Sequence, residues 1–352
     1  MTLRIERTGE IIKEYLDANN ITQKELHVRT GLSERHISKV LNGNARLTEG
    51  FALKLEKIIT DVSASYWLNY EAKYREQIAR DKEMMSLGDR DLEIIKKRFL
   101  FSEVFGGLGL SIREQACEML KLLKISDFSL FESTYQNLEV DFMEDGGSME
   151  SIVIWLKLCE ADIEIQNQNV GEYSCDNLKK MLDKFRKIAL NDNVTNSINS
   201  ARKLCNSLGI NLVICEAVKK SKIRGALTEY KNNPTIYLSG RFKTHDHIWF
   251  ALMHEIGHLL LHYDSKSIMV SLEEERIESS REKEANKFAH NYFIDEDAYN
   301  SYKQNMPINE ESLRKFARQQ EILPGIVVAR LRHDGVISYN QFSYMINYIN
   351  VE

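Results

Sequence analysis

The pattern of apolar and polar positions predicts helices along most of the chain. Only three prolines occur, and the first is Pro234, so helices can run without a breaker through the first two-thirds of the sequence. Two short runs rich in apolar and β-branched residues, 211–215 and 235–239, predict strands. The predicted fold class is therefore mainly α with a small β-sheet (α+β).

The same pattern divides the chain into three segments. Residues 1–80 contain a compact run of short amphipathic helices that ends in a charged helical connector. Residues 81–200 carry helical patterns but no motif that we can tie to chemistry. Residues 201–352 contain the predicted strands and the motif described below. A chain of 352 residues is too long for one small core, so two or three domains are expected.

Composition predicts a globular, cytoplasmic protein with no membrane association. Hydrophobic residues make up 43% of the chain and charged residues 28%, and no apolar run approaches the length of about 20 residues that a membrane span requires. No signal-peptide core follows Met1, and the five cysteines lack paired metal spacing, so reduced thiols are expected. The net charge of −5 argues against a nucleic-acid coat protein, although an average can hide a local basic face.

The most specific chemistry lies in the sequence His-Glu-Ile-Gly-His at residues 254–258. On a helix, His254 and His258 lie one turn apart on one face, so their imidazoles can meet a single tetrahedral Zn²⁺. Glu255 sits beside them, where it can deprotonate the metal's water as the catalytic base. The neighbouring residues are almost all apolar, so the helix should be buried, and buried polar side chains without partners are costly. This pattern predicts a zinc-protease site.

A catalytic zinc site usually takes three protein ligands, so a third ligand is needed. The metzincin pattern would place His at position 264 and Gly at 261, but Asp264 and Leu261 stand there. In the next predicted helix, Glu282 falls within the apolar stripe whereas Glu284 points away from it. Glu282 is therefore the predicted third ligand. Asn286, one turn further on, is predicted to orient a ligating group.

Several neighbouring segments allow more than one interpretation. His262 and His290 favour surface or supporting positions over ligation. The strand at 235–239 is a candidate edge for pairing with an extended peptide substrate, but a purely structural strand is favoured. The segment 312–335 has helix-turn-helix-like spacing, but a helical cover over the peptidase cleft is favoured.

These residues resemble the ImmA/IrrE family of zinc metallopeptidases, in which a His-Glu-x-x-His helix precedes a Glu-x-x-Ala-Asn-x-Phe-Ala helix. Residues 282–289 match the second motif, and the likeness extends over roughly residues 201–352. One departure is Asp295, where relatives tend to carry Pro. The resemblance implies a zincin-like metallopeptidase domain. It also implies a regulatory protein as the substrate, since active family members cut helix-turn-helix repressors.

Residues 22–43 have the layout of a helix-turn-helix. Thr22 and Ser33 can each cap a helix, and Glu25 is placed to complete a capping box with Thr22. Gly31 permits the tight turn between the two helices. The polar positions predicted to face a DNA groove and its phosphates are Gln23, Arg35, His36, Ser38 and Lys39.

Charge and a second resemblance support this DNA-binding prediction. Residues 22–46 carry five basic and two acidic side chains, a local net charge of +3. The stretch that ends near Trp67 looks like the DNA-binding domain of HigA-type antitoxins, which belong to the Xre repressor family. The resemblance implies a recognition helix that starts at Ser33, with base or phosphate contacts from Ser33, Glu34, Arg35, His36 and Lys39. Such domains usually bind two-fold operator DNA as homodimers. Trp67 serves either dimer pairing or core packing.

Two functions follow from these observations. The first is a transcriptional regulator with a zinc-dependent endopeptidase domain that cleaves a helix-turn-helix repressor or a similar regulatory protein. The second is a HigA-like antitoxin or repressor whose peptidase-like domain is non-catalytic and serves sensing or the binding of a cognate toxin. The residue set favours the first, because a structural metal site has no need for Glu255.

Overall fold

A computed structural model describes residues 5–86, 88–136, 148–168, 171–241, 244–263, 269–272, 280–305 and 307–348. The chain forms two compact units, Met1–Ile94 and Ile95–Glu352. The predicted class, mainly α with a small β-sheet, is confirmed. All five cysteines lie within the described residues and none forms a disulfide. Among the described helices, none has the length and apolar character needed to cross a membrane.

The N-terminal unit is a cluster of helices around one apolar core. Leu26, Ile37 and Trp67 are fully buried in this core. Trp67 meets the ring of Tyr15 edge-on with the ring centroids 5.2 Å apart, so its side chain packs in the core of its own unit. The principal helices are α1 (Thr8–Ala18), α2 (Gln23–Thr30), α3 (Glu34–Leu41), α4 (Glu49–Ile58) and α5 (Ala64–Ser86). The boundary expected at residue 80 falls within α5.

Side-chain caps define the starts of α2 and α3. The Thr22 hydroxyl accepts a hydrogen bond from the backbone N–H of Glu25 at 3.2 Å, and the Ser33 hydroxyl caps α3 in the same way. Gly31, between the helices, has φ +68°, a left-handed conformation that favours glycine. Only one of the two hydrogen bonds of the predicted capping box forms. The Glu25 carboxylate pairs with Arg29 one turn later, and the cap consists of the Thr22 hydroxyl without a reciprocal bond.

The C-terminal unit combines helices with one sheet. Its helices are α6 (Asp89–Arg98), which begins just before the unit boundary, α7 (Phe101–Val104), α8 (Ile112–Leu123), α9 (Phe131–Tyr135), α10 (Met149–Gln166), α11 (Cys175–Lys180), α12 (Leu182–Ala189), α13 (Val194–Ser207), α14 (His245–Leu261), α15 (Ser280–Phe293), α16 (Glu296–Asn305), α17 (Glu310–Gln319) and α18 (Pro324–His333). Short 3₁₀ turns span Phe128–Leu130 and Ser343–Met345. The strands are β1 (Asn211–Cys215), β2 (Ile223–Tyr230), β3 (Asn233–Ser239) and β4 (Met269–Leu272).

The strand order of the sheet is β1-β3-β2-β4. β3 runs parallel to β1 and antiparallel to β2, and β2 also pairs antiparallel with β4. The favoured interpretation of residues 235–239 as a purely structural strand is therefore confirmed and the sheet-edge alternative is wrong, since β3 already has a hydrogen-bonded strand on each side. A substrate peptide cannot add to a strand that is paired along both edges.

Helices cover both faces of the sheet. Ile236 and Leu238 of β3 are buried in the main core, which also contains the apolar residues of α14. Between them, Tyr237 points to the opposite face, where its ring meets Trp155 of α10 edge-on at a centroid distance of 6.2 Å. The middle of the chain thus supplies the second cover of the sheet. In the segment 312–335, α18 buries Val327 and other residues in the core that contains α14.

Candidate metal centre and DNA interface

Helix α14 is buried along nearly its whole length, including three residues that are costly to bury. His254 and Glu255 are 0% exposed and His258 is 1% exposed. The surrounding positions, such as Trp249 and Met253, are apolar and hold the helix in the core. Such a set of buried polar groups requires hydrogen-bonding or charged partners within the fold.

Small residues let α15 approach α14 closely. A Cβ at Gly257 would lie 3.1 Å from Cδ1 of Phe288 and 3.3 Å from Cα of Ala285, tighter than nearly all real contacts of this kind. Ala285 and Ala289 are themselves fully buried. The close packing of the two helices brings the first turn of α15 next to the histidines of α14.

Three side chains converge where the two helices meet. Nε2 of His254 lies 3.0 Å from Nε2 of His258. The Glu282 carboxylate bridges them, with Oε2 at 3.1 Å from His254 Nε2 and Oε1 at 2.8 Å from His258 Nε2. Among the described residues, these three form the group whose ligand atoms lie close enough together, within 4.8 Å, to hold a metal ion.

The convergence fits a zinc ion. Two ligands bound to tetrahedral zinc at about 2.0–2.1 Å lie roughly 3.3 Å from each other, close to the separations found here. Two imidazole nitrogens and a carboxylate oxygen are also a ligand set that zinc accepts. Burial raises the pKa of Glu282, but the hydrogen bonds and the electrostatic attraction of His254 and His258 outweigh it and lower the pKa to about 2. The carboxylate is therefore ionised at neutral pH.

Glu255 is held against the strand β2. A Cβ at Gly225 would overlap Oε1 of Glu255 and lie 3.0 Å from its Cδ. Glycine at this position leaves the space that the carboxylate occupies. The Glu255 side chain is therefore confined between its own helix and the backbone of β2.

The remaining predicted residues of this region have distinct surroundings. Nδ1 of His262 lies 3.3 Å from Nδ1 of His258, and its Nε2 lies 2.9 Å from the Glu284 carboxylate. Glu284 thus contacts His262, whereas Glu282 contacts the two motif histidines. Asn286 is half-buried on α15, one turn after Glu282. Asp264, at the metzincin position, lies outside the described residues.

The predicted DNA-contacting residues lie on the surface around α2 and α3. Gln23, Ser33, Glu34, Arg35 and Lys39 are exposed. His36 and Ser38 are half-buried. The His36 ring packs 6.0 Å from that of Phe51, and the Ser38 hydroxyl accepts a hydrogen bond from the Asn42 amide. The exposed residues form one polar surface over a helix pair whose inner face is apolar.

Sequence reasoning missed the contact between Gly225 and Glu255. This contact depends on strand pairing that the local pattern does not reveal. The Asp295 carboxylate accepts a hydrogen bond from the backbone N–H of Ala298 at 2.8 Å and caps the start of α16.

Comparison with known protein families finds a match in the C-terminal part and another in the N-terminal part of the chain. Residues 205–332 match the peptidase family described as IrrE N-terminal-like domain. Residues 12–67 match the helix-turn-helix family. No curated protein sequence matches the chain. The chain therefore joins an N-terminal helix-turn-helix DNA-binding domain to a C-terminal domain of the IrrE N-terminal-like peptidase family.

Proposed function

We propose that this protein is a transcriptional regulator whose C-terminal domain is a zinc-dependent endopeptidase. Its substrate is a helix-turn-helix repressor or a similar regulatory protein. His254, His258 and Glu282 ligate the zinc, and Glu255 is the catalytic base.

One observation carries this proposal. Glu255 is fully buried and follows His254 on a helix whose two motif histidines converge on Glu282 through their Nε2 atoms. The strand beside it has glycine where any side chain would displace the Glu255 carboxylate. A zinc site that only stabilises a fold takes four protein ligands and needs no adjacent base. A three-ligand set beside a confined carboxylate favours hydrolysis.

Each residue has a defined task in such a reaction. Zinc, when bound, supplies a Lewis acid that polarises a peptide carbonyl and lowers the pKa of water. Glu255 takes a proton from the attacking water on a carboxylate oxygen and passes it to the leaving amine. Glu282 and the two histidines fix the ligand geometry. His262 lies against His258 and limits the orientations of its ring.

The N-terminal domain directs this activity to DNA-bound regulators. We propose that α3 enters the major groove of operator DNA, with Arg35 and Lys39 as its principal contacts and Gln23, Ser33, Glu34, His36 and Ser38 around them. Two copies acting on a two-fold operator agree with the usual arrangement of such domains.

The enzyme half is tested with purified zinc-loaded protein and its Glu255→Gln variant. Each is incubated with candidate helix-turn-helix repressors and with the chain itself, and products are measured by intact-mass spectrometry. The unsubstituted protein should give two fragments whose masses add up to the substrate plus one water. Glu255→Gln should keep its zinc and lose at least about 100-fold in cleavage rate, as expected for a general base.

Glu284→Gln is the matched control, because it makes the same chemical change at an exposed carboxylate next to the site. Its cleavage rate should stay within a few-fold of the unsubstituted rate. Undiminished hydrolysis by Glu255→Gln rules out the mechanism. Absence of cleavage with every regulator tested, although zinc is bound, favours a non-catalytic sensing or toxin-binding domain.

A further inference from the structure

A narrow cavity lies on the face of the sheet that is turned away from the metal centre. Its volume is about 70 Å³, and its walls come from α9, α10 and the strands β2 and β3. Val153, Leu156 and the ring of Tyr237 are buried and form the apolar part of these walls. At roughly 10–15 Å³ for each water-sized position, the cavity has room for a group of about five to seven non-hydrogen atoms.

Two residues of these walls, Tyr237 and Thr228, carry hydroxyl groups that have no hydrogen-bond partner among the described residues. Tyr237 is 4% exposed, and Thr228 on the neighbouring strand is half-buried. Ala226 pairs with Tyr237 in the sheet, so Thr228, two residues further along β2, projects to the same face. A buried hydroxyl without a partner costs free energy, and a hydrogen bond to a bound molecule removes this cost.

The cavity adjoins a wider cleft of about 350 Å³ between α8 and α10, and Lys157 and Glu160 stand in the walls of both spaces. Oε2 of Glu160 lies 2.7 Å from Nζ of Lys157, and its Oε1 lies 2.5 Å from Nζ of Lys124. Each ammonium group has three N–H donors, so one bond to Glu160 leaves donors on both lysines for an anion in the cleft. Both oxygens of Glu160 already accept a bond from a lysine, which disfavours a cationic ligand.

The other charged residues of the cleft are balanced by their ion-pair partners. Lys121 pairs with Glu118, and Glu164 pairs with Lys231. Counted with the two lysines that share Glu160, the lining residues and their partners comprise four lysines and three glutamates. The excess of one positive charge lies at the shared glutamate and fits an anion that carries a single charge.

We propose that the cavity and the cleft together bind a small monocarboxylate that carries a hydroxyl or carbonyl oxygen at its other end. The carboxylate bridges Lys157 and Lys124. A short aliphatic middle packs against Val153 and Leu156, and the second oxygen forms a hydrogen bond with the Tyr237 hydroxyl. The sheet separates this site from the metal centre, so the ligand is not a substrate of the proposed peptidase, and the inference does not depend on that function.

Isothermal titration calorimetry with the full-length protein tests the proposed site. The probes 3-hydroxybutanoate and 4-oxopentanoate should each bind once per chain with a Kd of about 1 mM or lower. Three further compounds each lack one feature of the ligand. Butanoate lacks the second oxygen, butane-1,3-diol lacks the charge, and inorganic phosphate lacks the aliphatic part, so each should bind at least about tenfold more weakly.

Two substitutions assign the binding to this place in the fold. Tyr237→Phe removes a hydroxyl that has no partner among the described residues, so the stability measured by urea denaturation should not fall, whereas both probes should bind at least about tenfold more weakly. Lys157→Gln should weaken binding by a similar factor. Tyr339→Phe and Lys179→Gln make the same chemical changes at exposed positions and should leave the Kd unchanged.

Three results would overturn the proposed site. Absence of binding by both carboxylates up to about 10 mM would mean that the cavity holds only water. Phosphate that binds as tightly as the carboxylates would mean that the lysines attract any anion. Binding that survives both Tyr237→Phe and Lys157→Gln would place the ligand elsewhere on the chain.

Discussion

The candidate functional residues are buried in the C-terminal unit and exposed in the N-terminal unit. In the C-terminal unit, His254 and Glu255 are fully buried and meet other polar groups inside a core. In the N-terminal unit, Arg35 and Lys39 are exposed, and the helices that carry them depend on caps and on an apolar core that excludes them. Buried polar groups must be compensated or they destabilise the fold, whereas exposed ones are solvated in any conformation.

Because of this difference, the two sites should contribute differently to the stability of their units. The candidate metal centre is part of the core, so changes to it should alter both stability and chemistry. The candidate DNA-contacting surface contributes little to folding, so changes to its residues should alter only DNA binding. When a change is made in one unit, the other unit serves as the internal reference.

Removal of the metal should produce the largest difference between the units. A ligand present at a thousand times its Kd stabilises the native state by about 4 kcal/mol, so a strong chelator should remove about that much from the C-terminal unit. Hydrogen–deuterium exchange measures each helix separately. The most protected amides of α14 and α15 should exchange roughly a thousandfold faster, while those of α2 and α3 stay unchanged. Equal loss of protection in both units would contradict a metal site confined to α14 and α15.

Gly225→Ala should damage catalysis next most strongly. The new Cβ overlaps Oε1 of Glu255, so the carboxylate must leave its position, and a misplaced base costs on the order of 100-fold in rate. The measurement is peptide cleavage by zinc-loaded protein. Gly50→Ala in α4 is the control, because a Cβ at this position has open space and should raise the free energy of unfolding by about 0.5–1 kcal/mol. Unimpaired cleavage by Gly225→Ala would show that the contact with Glu255 has no catalytic importance.

Acid should destabilise the C-terminal unit through its buried histidines. Burial, only partly offset by Asp246 and nearby carbonyls, lowers the pKa of His245 to about 4, and burial with neighbouring cations lowers that of His290 to about 3. Each stays neutral in the folded protein while the unfolded chain takes up its proton. Their stabilising contribution is therefore complete above pH 6.5 and is lost as the pH falls towards 4.

Urea denaturation at pH 7, 6 and 5 measures this loss. The free energy of unfolding of the C-terminal unit should fall by up to about 1.4 kcal/mol per pH unit for each of the two histidines. His245→Gln should reduce the slope by about half. A free energy that stays constant from pH 7 to pH 5 would contradict the assignment of both histidines as buried and neutral.

Thr22→Ala should have the smallest effect, and it should be confined to the N-terminal unit. The substitution removes the hydroxyl that caps α2 and should lower the free energy of unfolding of this unit by about 1 kcal/mol. Chemical denaturation followed by hydrogen exchange in α2 measures it. Thr22→Ser, which keeps the acceptor, should restore most of the loss. A cap that relied on the predicted reciprocal bond from Glu25 would instead be weakened equally by Glu25→Ala.

The sequence was most informative where function imposes a local pattern. The histidine spacing placed two imidazoles on one helix face, and the 100° periodicity separated Glu282 from Glu284. The structure places these two carboxylates against the motif histidines and against His262, respectively. The helix-turn-helix layout was equally local, since Gly31 and the capping hydroxyls act within a few residues of their positions. The family matches and the α+β class agree with these patterns.

The sequence was least informative where pairing is non-local. β2 contains Arg224, Gly225 and Glu229, which lower its strand propensity, and it becomes a strand because β3 and β4 pair with it. The central place of β3 follows from the same pairing, so local periodicity could not reveal it. The capping-box prediction was wrong for a different reason, because Arg29 competes successfully for the Glu25 carboxylate.

Metal analysis of the purified full-length protein and two glutamate variants tests the central claim most directly. Inductively coupled plasma mass spectrometry should find one zinc per chain in the unsubstituted protein and in Glu284→Gln, and less than about a tenth of that in Glu282→Gln, because a three-ligand site does not retain the metal when one ligand is lost. Absence of zinc from the unsubstituted protein, or full retention in Glu282→Gln, would contradict the metal centre and with it the proposed peptidase.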